Sequence, residues 1–177
     1  ELKGLTTLVL NRNKITEITV LHNLKGLTYL DLSYNQITNI SVLQDLKQLT
    51  TLVLIANQIT DISFLKDLKQ LITLVLGNNL ITDITVLQEL KGLTTLDLNR
   101  NKITDITVLQ ELDQLTSLYL SNNPIEGTTI SDFDDIQAVK GYLESLKNKD
   151  LLVDNYDIKI NILGTGRIGK SQLFNWL

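Results

Sequence analysis

The order of apolar and polar residues along this chain follows a unit of 22 residues. The segment LTTLDLNRNKITDITVLQELDQ at 93–114 shows one complete unit. Its first leucine recurs at the same spacing, at Leu5, Leu27, Leu49, Leu71, Leu93 and Leu115. One unit has too many apolar side chains to bury against itself, so each unit must stack on its copies. The pattern therefore predicts a solenoid of six repeats over residues 1–130.

Each unit divides into a strand-like half and a helical half. The segment TLVLN at 7–11 alternates apolar and variable residues, which is the period of a half-buried strand. Six such segments predict a parallel sheet on the concave side of the solenoid. In the second half, Ile81, Ile84, Leu87 and Leu90 are three apart, a spacing that favours 3₁₀ or short helical turns on the convex side. The predicted fold class is therefore α/β.

We call the set of equivalent positions in successive repeats a column, and two of these columns are polar. Asparagine follows every predicted strand, at Asn13, Asn35, Asn57, Asn79, Asn101 and Asn123. A side-chain amide at this point can satisfy backbone groups of the turn, so we interpret the column as structural. An acidic column on the convex side comprises Asp61, Asp83 and Asp105. Because it supplies one carboxylate per repeat, helix capping or a solvated face is favoured over a calcium site.

The outward positions of the strands are the ones that the fold leaves free to vary. Their centre is small and apolar, with Val53, Ile55 and Val75. Aromatic and charged residues surround it, namely Tyr29, Asp31, Tyr34, Asp97, Arg100 and Tyr119. An apolar centre with such a border is typical of a protein-contact surface, and we predict that these nine residues bind a protein. The alternative is that valine and threonine are present only because they form strands well.

The repeat pattern stops after Ile125, and a helical pattern follows at 131–150. Apolar residues lie at helical spacing there, at Phe133, Ile136, Val139, Leu143 and Leu146. Ser131 is the predicted N-cap of this helix. An amphipathic helix here would cover the open apolar end of the solenoid. Residues 151–156 are interpreted as a linker to a new domain.

A phosphate-loop motif stands near the end of the sequence. An alternating strand pattern at 158–163 runs into GTGRIGKS at 164–171, which matches the Walker A motif in sequence and in context. Glycines in such a loop let backbone N–H groups converge on phosphate oxygens. The lysine would reach the β and γ phosphates, and the serine would bind Mg²⁺. The predicted nucleotide-binding residues are Gly164, Gly166, Gly169, Lys170 and Ser171, and the alternative is an ordinary glycine-rich turn.

The repeats resemble leucine-rich repeats of the shortest kind, which bacterial internalin-like proteins share. Repeats followed by a helix and a phosphate loop resemble the Roco family, in which a Roc GTPase domain follows the repeats and a COR domain follows that. Residues 157–177 would then be the start of a Roc-like domain, although the family usually has threonine where Ser171 stands. The resemblance implies that the parent protein uses GTP and Mg²⁺ and forms a homodimer through later domains.

The chain is predicted to be a non-catalytic fragment without a cofactor of its own. Only six residues follow Ser171, so the switch and guanine-reading motifs of a GTPase are absent, and residue 1 already lies inside a repeat. The predicted function is an interaction scaffold for a protein partner or for the parent's own downstream domains. Two alternatives are the repeat region of an ATP-dependent, immunity-like signalling protein and a purely structural or adhesive internalin-like protein.

Charge and composition narrow the range of partners. The 16 basic and 20 acidic residues give a net charge of −4 without a basic run, which disfavours nucleic-acid binding. The chain has no cysteine. No apolar run approaches the roughly 20 residues that a membrane helix needs, so no membrane insertion is expected. A cytoplasmic location is the resulting expectation.

Overall fold

Six short parallel strands form one sheet in the computed structural model, which describes residues 4–125, 133 and 135–146. The strands pair in chain order, and each residue lies beside the one 22 positions later, as Leu8 does beside Leu30. This confirms the predicted parallel sheet. The strands are β1 (Thr7–Val9), β2 (Tyr29–Asp31), β3 (Thr51–Val53), β4 (Thr73–Val75), β5 (Thr95–Asp97) and β6 (Ser117–Tyr119).

Short 3₁₀-helices stack on the other side of the repeats. Their hydrogen bonds join residues three apart: Leu43 N–H donates to Ile40 O, and Leu46 N–H donates to Leu43 O, each at 2.9 Å. The three-residue spacing of the apolar side chains therefore places one side chain per turn against the core. This confirms the predicted 3₁₀ turns. The helices span Thr19–Asn23, Ser41–Asp45, Ser63–Asp67, Thr85–Glu89 and Thr107–Glu111.

The core is one continuous stack of leucine and isoleucine layers. Each layer lies between the strand and the 3₁₀-helix of its own repeat and packs on the layers before and after it. Full burial of an aliphatic side chain of this size contributes about 1.5–3 kcal/mol, so each repeat depends on its neighbours to exclude water. In the third repeat the fully buried members are Leu49, Leu52, Leu54, Ile59, Ile62, Leu65 and Leu68.

A ladder of buried asparagine amides joins successive repeats. Asn57 Nδ2 donates to Leu54 O of its own repeat and to Leu32 O of the preceding repeat, each at 3.1 Å. Its Oδ1 accepts Ile37 N–H, also from the preceding repeat, at 3.0 Å. Asn35, Asn79 and Asn101 have the same set of partners. The predicted structural role is confirmed, and the amides bridge two repeats rather than one bend.

The residue before each ladder asparagine has a left-handed backbone. The six residues have φ between 53° and 62°, and none is glycine. Asparagine tolerates this conformation, whereas for most other residues the left-handed backbone costs about 1–2 kcal/mol of conformational free energy. The strand ladder continues through the bend, because Ala56 N–H still donates to Gly77 O at 3.0 Å. The residues are Arg12, Tyr34, Ala56, Asn78, Arg100 and Asn122.

The helix after the last repeat, α1, is described over 136–146. Val139 and Leu143 are buried in the core cluster, and Lys140 Nζ donates to Leu115 O at 3.0 Å, so the helix packs on the final repeat. Asp135 Oδ1 accepts Gln137 N–H at 2.9 Å and caps the helix. The prediction of Ser131 as the N-cap was therefore wrong, because the helix begins five residues later.

Several predicted features lie outside the described residues. They include the ends of the predicted 131–150 helix, the linker at 151–156 and the whole segment 157–177. The five residues predicted to bind nucleotide belong to this last segment. Their roles stay predictions.

We predict that Asn57→Ala destabilises the fold far more than Asn13→Ala. The first change leaves buried carbonyls and the Ile37 N–H without a partner, at a cost of about 3 kcal/mol or more in the free energy of unfolding. Asn13 is exposed, and among the described residues its amide donates only to Leu10 O and Asn11 O of its own repeat, so a loss of about 1 kcal/mol is expected. Urea denaturation followed by circular dichroism measures both. Equal losses in the two variants would show that the cross-repeat bonds add nothing.

Candidate functional site on the sheet

The outward residues of β1–β6 form a surface that we call the sheet face. Its middle column is set by the strand register, which pairs each member with the next one on the neighbouring strand. Neighbouring strands lie about 4.8 Å apart, so the column is a closely spaced row across the repeats. Five residues predicted from the sequence to bind protein are brought together in it. The middle column comprises Val9, Asp31, Val53, Val75, Asp97 and Tyr119.

The centre of the sheet face is apolar and partly accessible. Val53, Val75 and the neighbouring Ile55 are half-buried. At the two ends of the middle column, Val9 is 52% exposed and Tyr119 is 43% exposed. Leu52 and Leu74 alternate with these valines and are fully buried, so the core does not require the outward side chains.

Two carboxylates lie on either side of this apolar centre in matching geometry. Asp31 Oδ1 accepts the N–H of Ser33 at 2.9 Å, and Asp97 Oδ1 accepts the N–H of Asn99 at 2.9 Å. Asp31 Oδ2 also accepts Asn11 Nδ2 at 3.0 Å. Each carboxylate is thus held in place by its own turn. Both side chains remain partly exposed, so they can still contact a ligand.

Gly77 gives the Asp97 side chain its position. A Cβ atom at residue 77 would stand 3.2 Å from Asp97 Oδ1 and 3.3 Å from Oδ2, closer than most Cβ contacts. The Asp97 carboxylate therefore lies over the backbone of the preceding repeat. Asp31 extends in the same direction, towards Asn11 of its preceding repeat.

An aromatic and cationic edge borders the sheet face. The guanidinium carbon of Arg12 lies 5.4 Å from the centre of the Tyr34 ring, a cation–π contact. Tyr34 is 51% exposed, and it belongs with Arg100 to the left-handed column that follows the strands. Tyr29 lies on β2, two residues before Asp31. Arg12 was missed in the sequence, although it stands 22 residues before Tyr34 in the same column.

The fourth repeat carries two exposed apolar residues that the sequence analysis missed. Ile72 is 47% exposed and Leu80 is 39% exposed. All five other repeats have threonine in the column of Ile72. These threonines link repeats, as when Thr50 Oγ1 donates to Thr28 O at 3.0 Å, and isoleucine cannot donate such a bond. A comparison of the columns beside the strands would have found both residues.

The acidic column of the opposite, helical face caps the 3₁₀-helices. Asp83 Oδ1 accepts Thr85 N–H at 2.8 Å, and Asn39 Oδ1 accepts Ser41 N–H at the same distance. The backbone hydrogen bond from Thr85, with a further one from its side chain, holds the pKa of Asp83 below its ordinary value. The column thus acts at the start of the 3₁₀-helices, where the aspartate before the N-cap residue, such as Asp83 before Ile84, accepts the first helical N–H. Among the described residues, no group of three or more acidic or histidine side chains could hold a metal ion.

Ion pairs between repeats also lie on the helical face. Lys69 Nζ lies 2.8 Å from Glu89 Oε2, and this hydrogen bond lowers the pKa of the Glu89 carboxyl group. Lys91 and Glu111 repeat the pair at 2.8 Å. The pairs are exposed, so each adds little to stability. Within the described ranges, no helix has the length and apolar character needed to cross a bilayer.

Family models match the repeats over most of the chain. A model described as "Leucine rich repeat" matches residues 3–59. A second, described as "Leucine Rich repeats (2 copies)", matches residues 47–90 and 91–138. A comparison with curated proteins finds no match.

Solved structures of repeat proteins are similar to this chain. An internalin (InlF) of Listeria monocytogenes is 42% identical with a TM-score of 0.67, and the match covers 69% of this chain and 36% of that one. Internalin C2 of the same species is 37% identical with a TM-score of 0.62, covering 72% of this chain and 66% of that one. The plant peptide hormone receptor RGFR1, in complex with RGF2, is 30% identical with a TM-score of 0.61. That match covers 69% of this chain and 21% of the receptor chain.

The chain thus spans about a third and about two thirds of the two internalin chains, and about a fifth of the plant receptor. The similarity in sequence accompanies the same stacking of short parallel strands and 3₁₀-helices that the structure shows. This chain belongs to the leucine-rich-repeat family.

Proposed function

We propose that the chain is an interaction module that binds a protein partner on its sheet face. The observation that carries the proposal is the middle column, in which the half-buried Val53 and Val75 lie between the fixed carboxylates of Asp31 and Asp97. Interfaces commonly combine an apolar centre with a polar border. The other residues proposed to contact the partner are Tyr29, Tyr34, Ile55, Arg100 and Tyr119.

The exposed apolar residues of the fourth repeat support this proposal. Ile72 replaces the threonine of the other repeats, and Leu80 stands in a column that otherwise holds lysine, glutamine or proline. Neither change adds to the buried core, because both side chains are exposed. Apolar side chains that are left exposed favour association with another surface. The likeness to RGFR1, solved in complex with RGF2, adds support for a proteinaceous ligand.

We further propose that these repeats belong to a cytoplasmic Roco-type GTPase. The supporting observation is the Walker A sequence GTGRIGKS at 164–171, which follows the repeats and the helix. In the parent, GTP and Mg²⁺ would bind at the loop, and the protein would dimerise through later domains. The repeats would then sense a partner or restrain the downstream domains. The likeness to internalins also fits the alternative of an adhesive repeat protein.

The double substitution Val53→Lys and Val75→Lys tests the sheet face. We expect it to lower capture of partner proteins from a lysate by at least about tenfold, because two buried charges would cost more than about 1.4 kcal/mol of binding free energy. Capture is measured by quantitative mass spectrometry. The matched control is Gln44→Lys with Gln88→Lys, which adds the same charge on the helical face, where Lys66 already occupies that column. A folded sheet-face variant that captures the same proteins as the control would refute the proposal.

A nucleotide titration tests the proposal that the parent protein is a GTPase. Fluorescent GTP and ATP, with Mg²⁺, are titrated into this chain and into a version extended by one G-domain. Only the extended protein should bind, with a preference for GTP, and Lys170→Ala should abolish binding because the lysine contacts the phosphates. A preference for ATP would favour the ATP-dependent alternative. Failure of the extended protein to bind either nucleotide would remove the GTPase proposal and leave the interaction module.

A further inference from the structure

We propose that the middle column of the sheet face binds an extended protein segment that crosses the strands and has two basic residues four positions apart with an apolar residue midway between them. This inference rests on the proposed function and specifies the chemistry of the partner. It is carried by the match between two spacings, that of the carboxylates and that of side chains along an extended chain.

The spacing of the carboxylates follows from the strand register. Asp31 pairs with Val53, Val53 with Val75 and Val75 with Asp97, so three strand steps separate the two acids. At about 4.8 Å per step the separation is about 14 Å. Both side chains extend towards their preceding repeats, Asp31 to Asn11 and Asp97 over Gly77, so this separation is kept at the carboxylates.

An extended segment has the same spacing on one of its faces. Residues i, i+2 and i+4 point to the same side, and each residue advances the chain by about 3.3 Å, so i and i+4 are about 13 Å apart. Residue i+2 would then lie about midway, between Val53 and Val75. Basic side chains at i and i+4 would each meet one carboxylate. Lysine and arginine side chains are long enough to absorb the remaining difference of about 1 Å.

The two carboxylates are prepared to receive cations. Each is oriented by a hydrogen bond from the N–H two residues later, so little conformational freedom is lost when a ligand binds. Both side chains are also partly exposed, so a cation can reach them. The two acids therefore belong to the sheet face, and Asp31 in addition accepts a hydrogen bond from Asn11 of the preceding repeat.

A second polar group beside Asp97 favours a hydrogen-bond donor at this end. Asn99 Oδ1 is buried and has no hydrogen-bond partner within the described part of the chain. A buried acceptor without a partner destabilises the unbound protein, so a ligand that donates to it is favoured. A basic side chain that reaches Asp97 could supply this bond after a small rotation of the amide. Tyr119 follows Asp97 in the middle column, and its ring can form a cation–π contact with the same basic side chain.

The occupant is a partner protein rather than a second copy of this chain. No two of the 16 lysine and arginine residues in the sequence are separated by four positions, so this chain lacks the segment that the column fits. A self-association through this column would have no pair of cations to place on the two acids.

Synthetic peptides test the spacing directly. Biotinylated peptides with serine and threonine flanks carry one valine and two lysines, with the lysines two to six positions apart; the central member is Lys-Thr-Val-Thr-Lys. Binding of the whole chain is measured by biolayer interferometry. We expect the spacing of four to bind about fivefold more tightly than spacings of three and five, which turn one lysine away from the face.

Charge variants identify the groups involved. Asp31→Asn with Asp97→Asn should remove the preference for a spacing of four, since asparagine keeps the turn hydrogen bonds but not the charge. The matched control is Asp61→Asn with Asp105→Asn, which makes the same charge change on the helical face, where Asn39 already caps a 3₁₀-helix. The preference should persist in this control.

The outcomes separate this inference from the proposed function. Equal binding at all spacings, or an unchanged preference in the Asp31 and Asp97 variant, would overturn the inference. If Val53→Lys with Val75→Lys still abolished capture of partner proteins in that case, the proposed function would stand without it. If that variant bound both the peptides and the partner proteins as the wild type does, both proposals would fail.

Discussion

The buried asparagine amide is the interaction on which the rest of the structure depends. A three-residue strand and a five-residue 3₁₀-helix leave most backbone groups of each turn without a regular partner. Asn57 and its equivalents supply those partners in two repeats at once, with donors for carbonyl groups and an acceptor for an N–H. Such a group is costly to bury unless every bond is made, so the ladder fixes the register of each repeat on the next. The leucine layers then provide most of the favourable free energy.

This arrangement separates the residues that fold the chain from those that we propose to contact a partner. Leucines point inwards from every strand, while the alternate positions are free of structural demand. The sheet face uses that freedom to place valines between two carboxylates that their own turns hold in place. The role of an aspartate depends on its column. Asp83 accepts the first N–H of a 3₁₀-helix, whereas Asp97 lies on the sheet face. The columns that vary between repeats are therefore the ones in which we propose that the function of this chain lies.

The sequence predicted the sheet, the 3₁₀ turns and the columns of the site, because a period of 22 residues fixes which residues share a position. It did not predict that Asn57 reaches a carbonyl 25 residues earlier, since that requires the distance between repeats. The left-handed backbone after each strand could not be predicted from the sequence either, because tyrosine and alanine, found there as Tyr34 and Ala56, do not favour this conformation. The start of α1 was misplaced because several polar residues in a row could each cap a helix. Ile72 was missed because only the strand positions were compared.

The measurement that tests the central claim most directly is amide hydrogen exchange in Asn79→Ala. Asn79 Oδ1 accepts the N–H of Ile59, which belongs to the preceding repeat, at 3.0 Å. If the amide ladder couples neighbouring repeats, the substitution will speed exchange at Ile59 and across the third repeat as well as in the fourth. Faster exchange confined to the turn around residue 79, with Ile59 protected as in the wild type, would contradict the account and leave strand pairing and apolar packing to couple the repeats.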